Sequence, residues 1–237
     1  IFIYGLLLTL SCAEEKSRLT SRQYIDLSGV WSTRYGNVML PGTTDEANIG
    51  DTIKNLNETG RLSRRHTFVA PITFSKTITI PKSFEGRHLS LIMERTKPST
   101  LFIDGDSIGS YSHLYAPHIY DVTGLKLGEH SIEIRIDNSD KSILPEIGGS
   151  HAVSEHTQTN WNGILGVFRL EASDIVYIHS IQVYPSVERH SALVRTVVCG
   201  AEEGMELNMT YEVDGKELVA PSVACGCVDT LYVNIDM

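Results

Sequence analysis

Apolar residues recur at every second position in several parts of the chain. In the stretch Ile72–Ile80 they alternate with Thr and Lys, and similar alternation returns in Leu89–Met93, Ile132–Ile136 and Leu207–Val213. Because successive side chains of a strand point to opposite faces, this period of two predicts strands with one buried face. No window carries a long amphipathic helical stripe, so the pattern predicts an all-β fold.

Glycine-containing turns separate the predicted strands. Asp104-Gly105 and Asp214-Gly215 each follow an apolar run. Gly accepts the positive φ of a tight turn, so both pairs predict β-hairpins. Short strands with turns between them are typical of a β-sandwich or jelly roll. We expect such a sandwich over residues 23–174, with long loops between its strands.

A second sandwich is predicted over residues 175–237, because the strands become shorter after Ser173-Asp174. This part has about 60 residues, whereas a complete immunoglobulin-like sandwich has roughly 100. We therefore expect an incomplete immunoglobulin-like β-sandwich whose last strands are missing, which would leave an unpaired sheet edge.

The first residues predict an export signal. Residues 1–10 (IFIYGLLLTL) are apolar. They are too few to span a bilayer, which needs about 20 residues, and they fit the hydrophobic part of a signal peptide. The stretch Leu8–Cys12 resembles a bacterial lipobox in which Cys12 would carry the lipid, although Thr9 replaces the usual aliphatic residue. A plain secretory signal and a core strand are the alternatives.

This interpretation makes residues 1–12 a signal-peptide remnant and residues 13–22 a tether. It predicts an exported protein, in the periplasm or on the outer membrane of a Gram-negative bacterium. A lipid anchor would be its sole contact with the membrane.

Composition excludes some classes of partner. The chain has 237 residues, of which 41% are hydrophobic and 21% are charged, as in ordinary globular proteins. Its formal charge of -9 argues against a nucleic-acid partner, since nucleic-acid binding needs a basic face. Four cysteines are too few for a disulfide-built scaffold.

Six sequence blocks, in a fixed order, carry a resemblance to a known enzyme family. In chain order they are Asp26–Trp31 (DLSGVW), Gly60–Phe68 (GRLSRRHTF), Ser99–Gly109 (STLFIDGDSIG), Tyr115–Thr123 (YAPHIYDVT), Glu133–Asn138 (EIRIDN) and Asn160–Leu170 (NWNGILGVFRL). They resemble the N-terminal sugar-binding domain of glycoside hydrolase family 2, the β-galactosidase, β-glucuronidase and β-mannosidase group. The resemblance covers about residues 23–187, and Leu62 stands where the family has an aromatic residue.

The resemblance implies a galactose-binding-like jelly roll, then an immunoglobulin-like domain, then a catalytic (β/α)8 barrel. Such a barrel needs about 250 residues and is missing from this chain, so it would be the chain's partner. The family's acid/base glutamate follows an asparagine on a barrel strand. Here the one Asn-Glu pair, Asn57-Glu58, lies in a polar loop, and we interpret it as a turn.

The expected function is thus the non-catalytic N-terminal portion of an exported β-glycosidase, with no catalytic residue in this chain. A β-galactoside is the leading substrate, with a glucuronide or a mannoside behind it. The alternatives are a stand-alone carbohydrate-binding module without catalysis and a purely structural sandwich.

The resemblance also points to one substrate-binding residue. In the family, a loop residue six positions before the glycine of the closing block reaches the mouth of the barrel. Here that block is Gly166–Arg169 and the residue is Asn160. An amide offers both donors and an acceptor to a sugar diol, but a carboxylate would accept more strongly. The alternative is that Asn160 caps the turn before Trp161.

The loop around Asn160 supplies the other candidates. Residues 151–161 combine polar side chains with an aromatic ring, as carbohydrate sites do. We therefore predict substrate contacts from Asn160, Trp161, His156 and Gln158. The alternative is that Trp161 packs under the sandwich and the histidines lie on the loop surface. A zinc site formed by His151, Glu155 and His156 is conceivable, but no third ligand stands at the spacing of a metal motif. We expect no metal and no cofactor.

Two further groups of residues have ordinary explanations. Tyr111, His113, Tyr115 and His118 form an aromatic and polar stretch that we interpret as a loop lining a domain interface. Cys225-Gly226-Cys227 lacks the two-residue spacer of redox and metal motifs. In an exported protein Cys199 would pair with Cys225 or Cys227, and otherwise these cysteines are buried thiols.

Overall fold

The computed structural model describes residues 8–10, 22–54, 64–139, 141–147, 150–154, 159–225 and 230–236. Two compact units divide between Ala172 and Ser173. The first comprises residues 22–172, and the second comprises residues 173–236 together with the strand Leu8–Leu10. The predicted start of the second sandwich at Ile175 lies beside this division.

Strands dominate the described residues, which contain no α-helix and one 3-10 turn, Lys82–Phe84. In chain order the strands are β1 (Leu8–Leu10), β2 (Gln23–Asp26), β3 (Gly29–Thr33), β4 (Gly36–Leu40), β5 (Gly42–Thr43), β6 (Asp51–Thr52), β7 (His66–Thr67), β8 (Pro71–Ile80), β9 (His88–Met93), β10 (Ser99–Ile103), β11 (Asp106–Tyr111), β12 (His118–Asp121), β13 (Gly128–Asp137), β14 (Gly163–Ile164), β15 (Phe168–Ser173), β16 (Tyr177–Ser186), β17 (Ser191–Cys199), β18 (Glu206–Val213), β19 (Lys216–Val219), β20 (Val223–Ala224) and β21 (Thr230–Asp236). The predicted all-β class is confirmed.

The first unit is a sandwich of two sheets. The larger sheet has the strand order β11-β10-β13-β8-β3-β4, and the smaller has the order β12-β9-β15-β2. One apolar core draws buried residues from both sheets. The ring of Trp31 on the larger sheet lies 5.1 Å from that of Phe168 on the smaller sheet. Two short pairs, β14-β5 and β6-β7, lie outside these sheets.

The predicted alternation is confirmed on β8, β9 and β13. Their buried apolar residues are Ile72, Phe74, Ile78, Ile80, Leu89, Leu91, Met93, Ile132, Ile134 and Ile136. Lys76 has the parity of the buried residues on β8. Its Nζ donates hydrogen bonds to the carbonyl oxygens of Leu27, at 3.3 Å, and Ser28, at 3.0 Å, so the ammonium is satisfied although it lies on the core face.

Both predicted hairpins are confirmed. Asp104 and Gly105 have φ values of 53° and 89° and join β10 to β11. Asp214 and Gly215, with φ values of 50° and 76°, join β18 to β19. Positive φ at both central residues matches the right-handed twist of the flanking strands, which is why Asp-Gly is favoured there.

The second unit also contains two sheets, as expected for an incomplete immunoglobulin-like sandwich. One sheet has the order β16-β17-β21, and in the other β18 lies between β1 and β19 and also pairs with β20. Val194, Met209, Ala220 and Val233 form part of its core. On the edge strand β16, Val183 remains 47% exposed.

Of the predicted signal-peptide remnant, residues 1–12, the structure describes the strand β1 alone. The backbone of β1 pairs antiparallel with β18, with Leu8 opposite Met209, as in the core-strand alternative. Cys12 and residues 13–21 of the predicted tether lie outside the described residues, so lipidation remains a prediction. Among the described residues, no helix has the length and apolarity to span a bilayer.

Candidate functional site

Asn160 and Trp161 lie just before β14, which fixes the end of their segment. Gly163 pairs with Thr43 on β5 and has a φ of 142°. A Cβ on Gly163 would lie 2.1 Å from the carbonyl oxygen of Gly42. Glycine therefore permits a backbone approach that any side chain would block.

Two buried side-chain amides lie beside the segment that contains Asn160 and Trp161. Asn138 and Asn162 are both fully buried. Nδ2 of Asn162 donates to Oδ1 of Asn138 at 3.1 Å and to the Ala70 carbonyl oxygen at 3.0 Å. Nδ2 of Asn138 donates to the carbonyl oxygen of Phe68 at 2.8 Å. Side-chain amides thus satisfy backbone groups where the chain leaves regular pairing.

Two buried cations hold the segment through its backbone carbonyls. Nη2 of Arg64, which is 7% exposed, donates to the Asn160 oxygen at 2.5 Å. Nζ of Lys97, which is 3% exposed, donates to the Thr159 oxygen at 2.6 Å. The Lys97 ammonium also lies 4.7 Å from the centroid of the Trp161 ring. Charged donors make stronger hydrogen bonds than neutral ones.

Burial and like charge both act on Lys97. Burial, and then the nearby Arg64 charge, lower the pKa of the Lys97 ammonium to about 8. In the part of the chain that the structure describes, no carboxylate forms an ion pair with Lys97. Its charge is therefore balanced by the Thr159 carbonyl and the Trp161 ring face.

The predicted site residues divide into two groups. Asn160, at 6% exposure, is buried, and Trp161 is half-buried beneath Lys97. The structure brings both together with Arg64 and Lys97. His156 and Gln158, like their neighbour Glu155, lie outside the described residues. The substrate-contact role of all four predicted residues remains a prediction.

The two cations were missed by reasoning from sequence. Arg64 lies within the GRLSRRHTF block, so the motif carried a signal, although nothing in it indicated burial. Lys97 stands in the link between β9 and β10, where a lysine is ordinarily solvent-exposed. Its burial depends on the approach of residues more than 60 positions away.

His118 of the second aromatic stretch belongs to a hydrogen-bond network in the first unit. Nε2 of His118 donates to the His113 carbonyl oxygen at 2.9 Å. Nδ1 of His118 therefore accepts from Oγ of Ser99 at 2.7 Å, because a carbonyl cannot donate. The hydroxyl of Tyr120 donates to the Ser99 carbonyl oxygen at 3.0 Å. Tyr115 stays 72% exposed.

The cysteines show no disulfide among the described residues. Cys199 and Cys225 are free thiols, and burial raises the pKa of the Cys225 thiol. Cys227 lies outside the described residues, so its predicted pairing is untested.

A separate cavity of about 310 Å³ opens on the first unit. Its lining includes hydroxyl, guanidinium and carboxylate groups from Thr100, Ser110, Arg135, Asp137 and Ser142. Oγ1 of Thr100 and Oγ of Ser110 lie 2.8 Å apart in a hydrogen bond. These groups are suited to sugar hydroxyls, although no predicted site residue lines this cavity.

Comparison with known proteins gives a likeness of fold. No protein-family model matches the chain, and no curated protein does. A β-glucuronidase from Dictyoglomus thermophilum matches 94% of this chain with 39% of its own, at 17% identity and a TM-score of 0.59. A Bifidobacterium dentium β-glucuronidase complexed with coumarin-3-O-glucuronide matches 92% of this chain with 42% of its own, at 17% identity and a TM-score of 0.63.

A third solved structure agrees with these two. The apo β-glucuronidase from Ruminococcus gnavus matches 91% of this chain with 39% of its own, at 12% identity and a TM-score of 0.61. The chain therefore has the β-sandwich fold of one portion of these enzymes. It spans about two fifths of the length of these three structures.

Proposed function

We propose that the chain is the non-catalytic N-terminal portion of an exported β-glycosidase of glycoside hydrolase family 2. One observation carries the proposal: nearly the whole chain matches, in fold, about two fifths of the length of each solved β-glucuronidase compared above. The six ordered sequence blocks support the same family. The remaining part of the parent enzyme would be the barrel that supplies the two catalytic carboxylates.

The chain's physical role would be to form one wall of the substrate site. The Thr159–Trp161 segment is held against the sandwich by Arg64 and Lys97. A rigid segment loses little conformational freedom when substrate binds, which favours affinity. Asn160, Trp161, His156 and Gln158 would face the sugar held in the barrel.

We propose a β-glucuronide as the leading substrate, ahead of the β-galactoside favoured by the sequence. The solved structures compared above carry the name β-glucuronidase. The buried Lys97 ammonium, which lies 4.7 Å from the centroid of the Trp161 ring, adds a positive potential that would favour an anionic sugar over a neutral one.

The test is to express the complete reading frame and the 237-residue chain separately. Both are assayed with 4-nitrophenyl β-glucuronide, β-galactoside and β-mannoside. We expect the complete protein to cleave one of them, with the glucuronide fastest, and the chain alone to cleave none. Cleavage by the chain alone, or inactivity of the complete protein on all three, would contradict the proposal.

Export through a lipobox is part of the same proposal. In cells fed a radiolabelled fatty acid, we expect the complete protein to be labelled and its Cys12→Ala variant to be unlabelled. Labelling that persists in the variant would show that Cys12 is not the acceptor.

The 310 Å³ cavity favours a second candidate, a stand-alone carbohydrate-binding module. This candidate predicts that the chain alone binds a mono- or disaccharide in calorimetric titration. It further predicts that Arg135→Ala weakens binding about tenfold, whereas Arg195→Ala in the second unit does not. If no sugar binds the chain, this candidate falls, while the glycosidase proposal stands.

A further inference from the structure

We propose that Lys97 is a positioning residue, whose ammonium holds the Thr159–Trp161 segment in the orientation needed for substrate contact. The inference rests on the proposed function for its catalytic consequence, but the holding itself can be measured without catalysis. It concerns a residue outside the predicted substrate loop.

Thr159 forms hydrogen bonds to His151 and Ser154, which precede it in the predicted substrate loop. Its Oγ1 donates to the His151 carbonyl oxygen at 3.0 Å and accepts from the Ser154 amide at 2.9 Å. The Thr159 amide donates to the Ser154 carbonyl oxygen at 3.1 Å. These hydrogen bonds join the side chain and amide of Thr159 to His151 and Ser154, and its carbonyl oxygen accepts from a group outside that stretch.

Lys97 is that outside group. Its Nζ reaches the Thr159 oxygen at 2.6 Å, and the same ammonium covers the Trp161 ring at 4.7 Å. One charge thereby contacts residues on both sides of Asn160. Because a charged donor in a water-poor site makes a strong hydrogen bond, Lys97 restrains the backbone that carries Asn160.

Arg64 adds a second restraint on the same backbone segment. Its Nη2 binds the carbonyl oxygen of Asn160 at 2.5 Å, the next carbonyl along the chain from the one that Lys97 binds. The Thr159 and Asn160 carbonyls belong to the two peptide groups that flank the Cα of Asn160. With a cation bound to each carbonyl, rotation of either peptide group is opposed. Burial and the nearby Arg64 charge both disfavour the charged form of Lys97, so keeping its ammonium buried is costly. That cost argues that the hold has a use beyond filling the core.

The substitution Lys97→Met tests the hold, because it removes the donor and the charge and keeps an unbranched chain. Lys97→Arg retains both. The matched control is Lys76→Met, which removes another lysine bound to two backbone carbonyls of the same unit and leaves the Thr159 segment untouched. The first measurement is amide hydrogen exchange in the 237-residue chain.

We expect Lys97→Met to speed exchange of the Ser154 and Thr159 amides about tenfold or more. The amides of the Asp104-Gly105 hairpin should exchange as in the unsubstituted chain. Lys97→Arg should restore part of the protection, and Lys76→Met should leave the Thr159 amide unchanged. If Lys97→Met leaves exchange at Ser154 and Thr159 unchanged, the hold is refuted.

The second measurement uses the complete protein with its preferred glycoside. We expect Lys97→Met to raise KM about tenfold with a smaller change in kcat, Lys97→Arg to restore KM in part, and Lys76→Met to change neither. A wild-type KM in a Lys97→Met protein with faster exchange would overturn the positioning role. If the complete protein cleaves no glycoside, the proposed function fails, while the exchange data still decide the hold.

Discussion

Asn138 and Asn162, 24 residues apart in sequence, join their side-chain amides in the interior of the first unit, with Nδ2 of Asn162 donating to Oδ1 of Asn138 at 3.1 Å. Both residues belong to the ordered blocks of the sequence, and both are fully buried. Oδ1 of Asn138 also accepts from the Ala70 amide at 3.1 Å. The pair therefore connects the end of β13, the start of β8 and the segment before β14.

Asn138→Ala is expected to destabilise the protein by about 2–3 kcal/mol, because it leaves the buried carbonyl of Phe68 and the part-buried amide of Ala70 without their hydrogen-bond partner. Urea unfolding measures the change. The control is Asn37→Ala, which alters an exposed side chain and should cost under about 0.5 kcal/mol. Equal effects from the two substitutions would contradict this account of the pair.

Gly163→Ala is expected to destabilise the first unit by about 3 kcal/mol or more, since the new Cβ meets the Gly42 carbonyl and the left-handed φ is retained. Gly124 has no heavy atom within 4 Å of a built Cβ, so Gly124→Ala serves as the control. Thermal unfolding followed by circular dichroism compares the two. A Gly163→Ala protein as stable as Gly124→Ala would show that β14 and β5 separate easily.

His118 is expected to make the protein sensitive to acid. Burial lowers the pKa of His118 to about 4, below its ordinary value near 6.5. The unfolded chain therefore binds more protons between these values. The stability that neutral His118 provides is present above about pH 6.5 and is lost as the pH falls through about 4.

We expect the unsubstituted protein to lose about 2–3 kcal/mol more stability than His118→Gln between about pH 7 and pH 4.5. Urea unfolding at both pH values measures the difference, and groups that titrate in both proteins cancel. Equal losses would mean that His118 is protonated as readily in the folded protein as in the unfolded chain.

The His130–Asp104 pair should make folding stability depend on pH in the opposite direction to His118. Nδ1 of His130 lies 2.6 Å from Oδ2 of Asp104, and this hydrogen bond raises the pKa of His130 and lowers that of Asp104. The contribution of charged His130 is complete below about pH 6.5 and is lost as the pH rises through its raised pKa.

An NMR titration of the His130 ring checks this pair. We expect Asp104→Asn to bring the His130 pKa down toward its ordinary value, whereas Asp106→Asn in the same hairpin should leave it in place. A His130 pKa that does not respond to Asp104→Asn would rule out the pair as the cause.

The local elements were predictable because their signals are local. The alternation on β8, β9 and β13 follows from the two-residue period of a strand, and the Asp104-Gly105 turn follows from backbone sterics at two residues. Asn160 and Trp161 were found as neighbours in one polar loop. The exception within a strand was Lys76, which lies on the core face because two carbonyl oxygens reach its ammonium.

The amino-acid sequence by itself determined the all-β class, the buried face of each main strand, the hairpins and the segment in which the candidate site lies. Only the tertiary structure decided that Asn138 meets Asn162 and that Lys97 and Arg64 are buried against the carbonyls of Thr159 and Asn160. The reason is physical: strand period and turn geometry act over a few neighbouring residues. The burial of a charge depends on which distant backbone groups arrive to satisfy it.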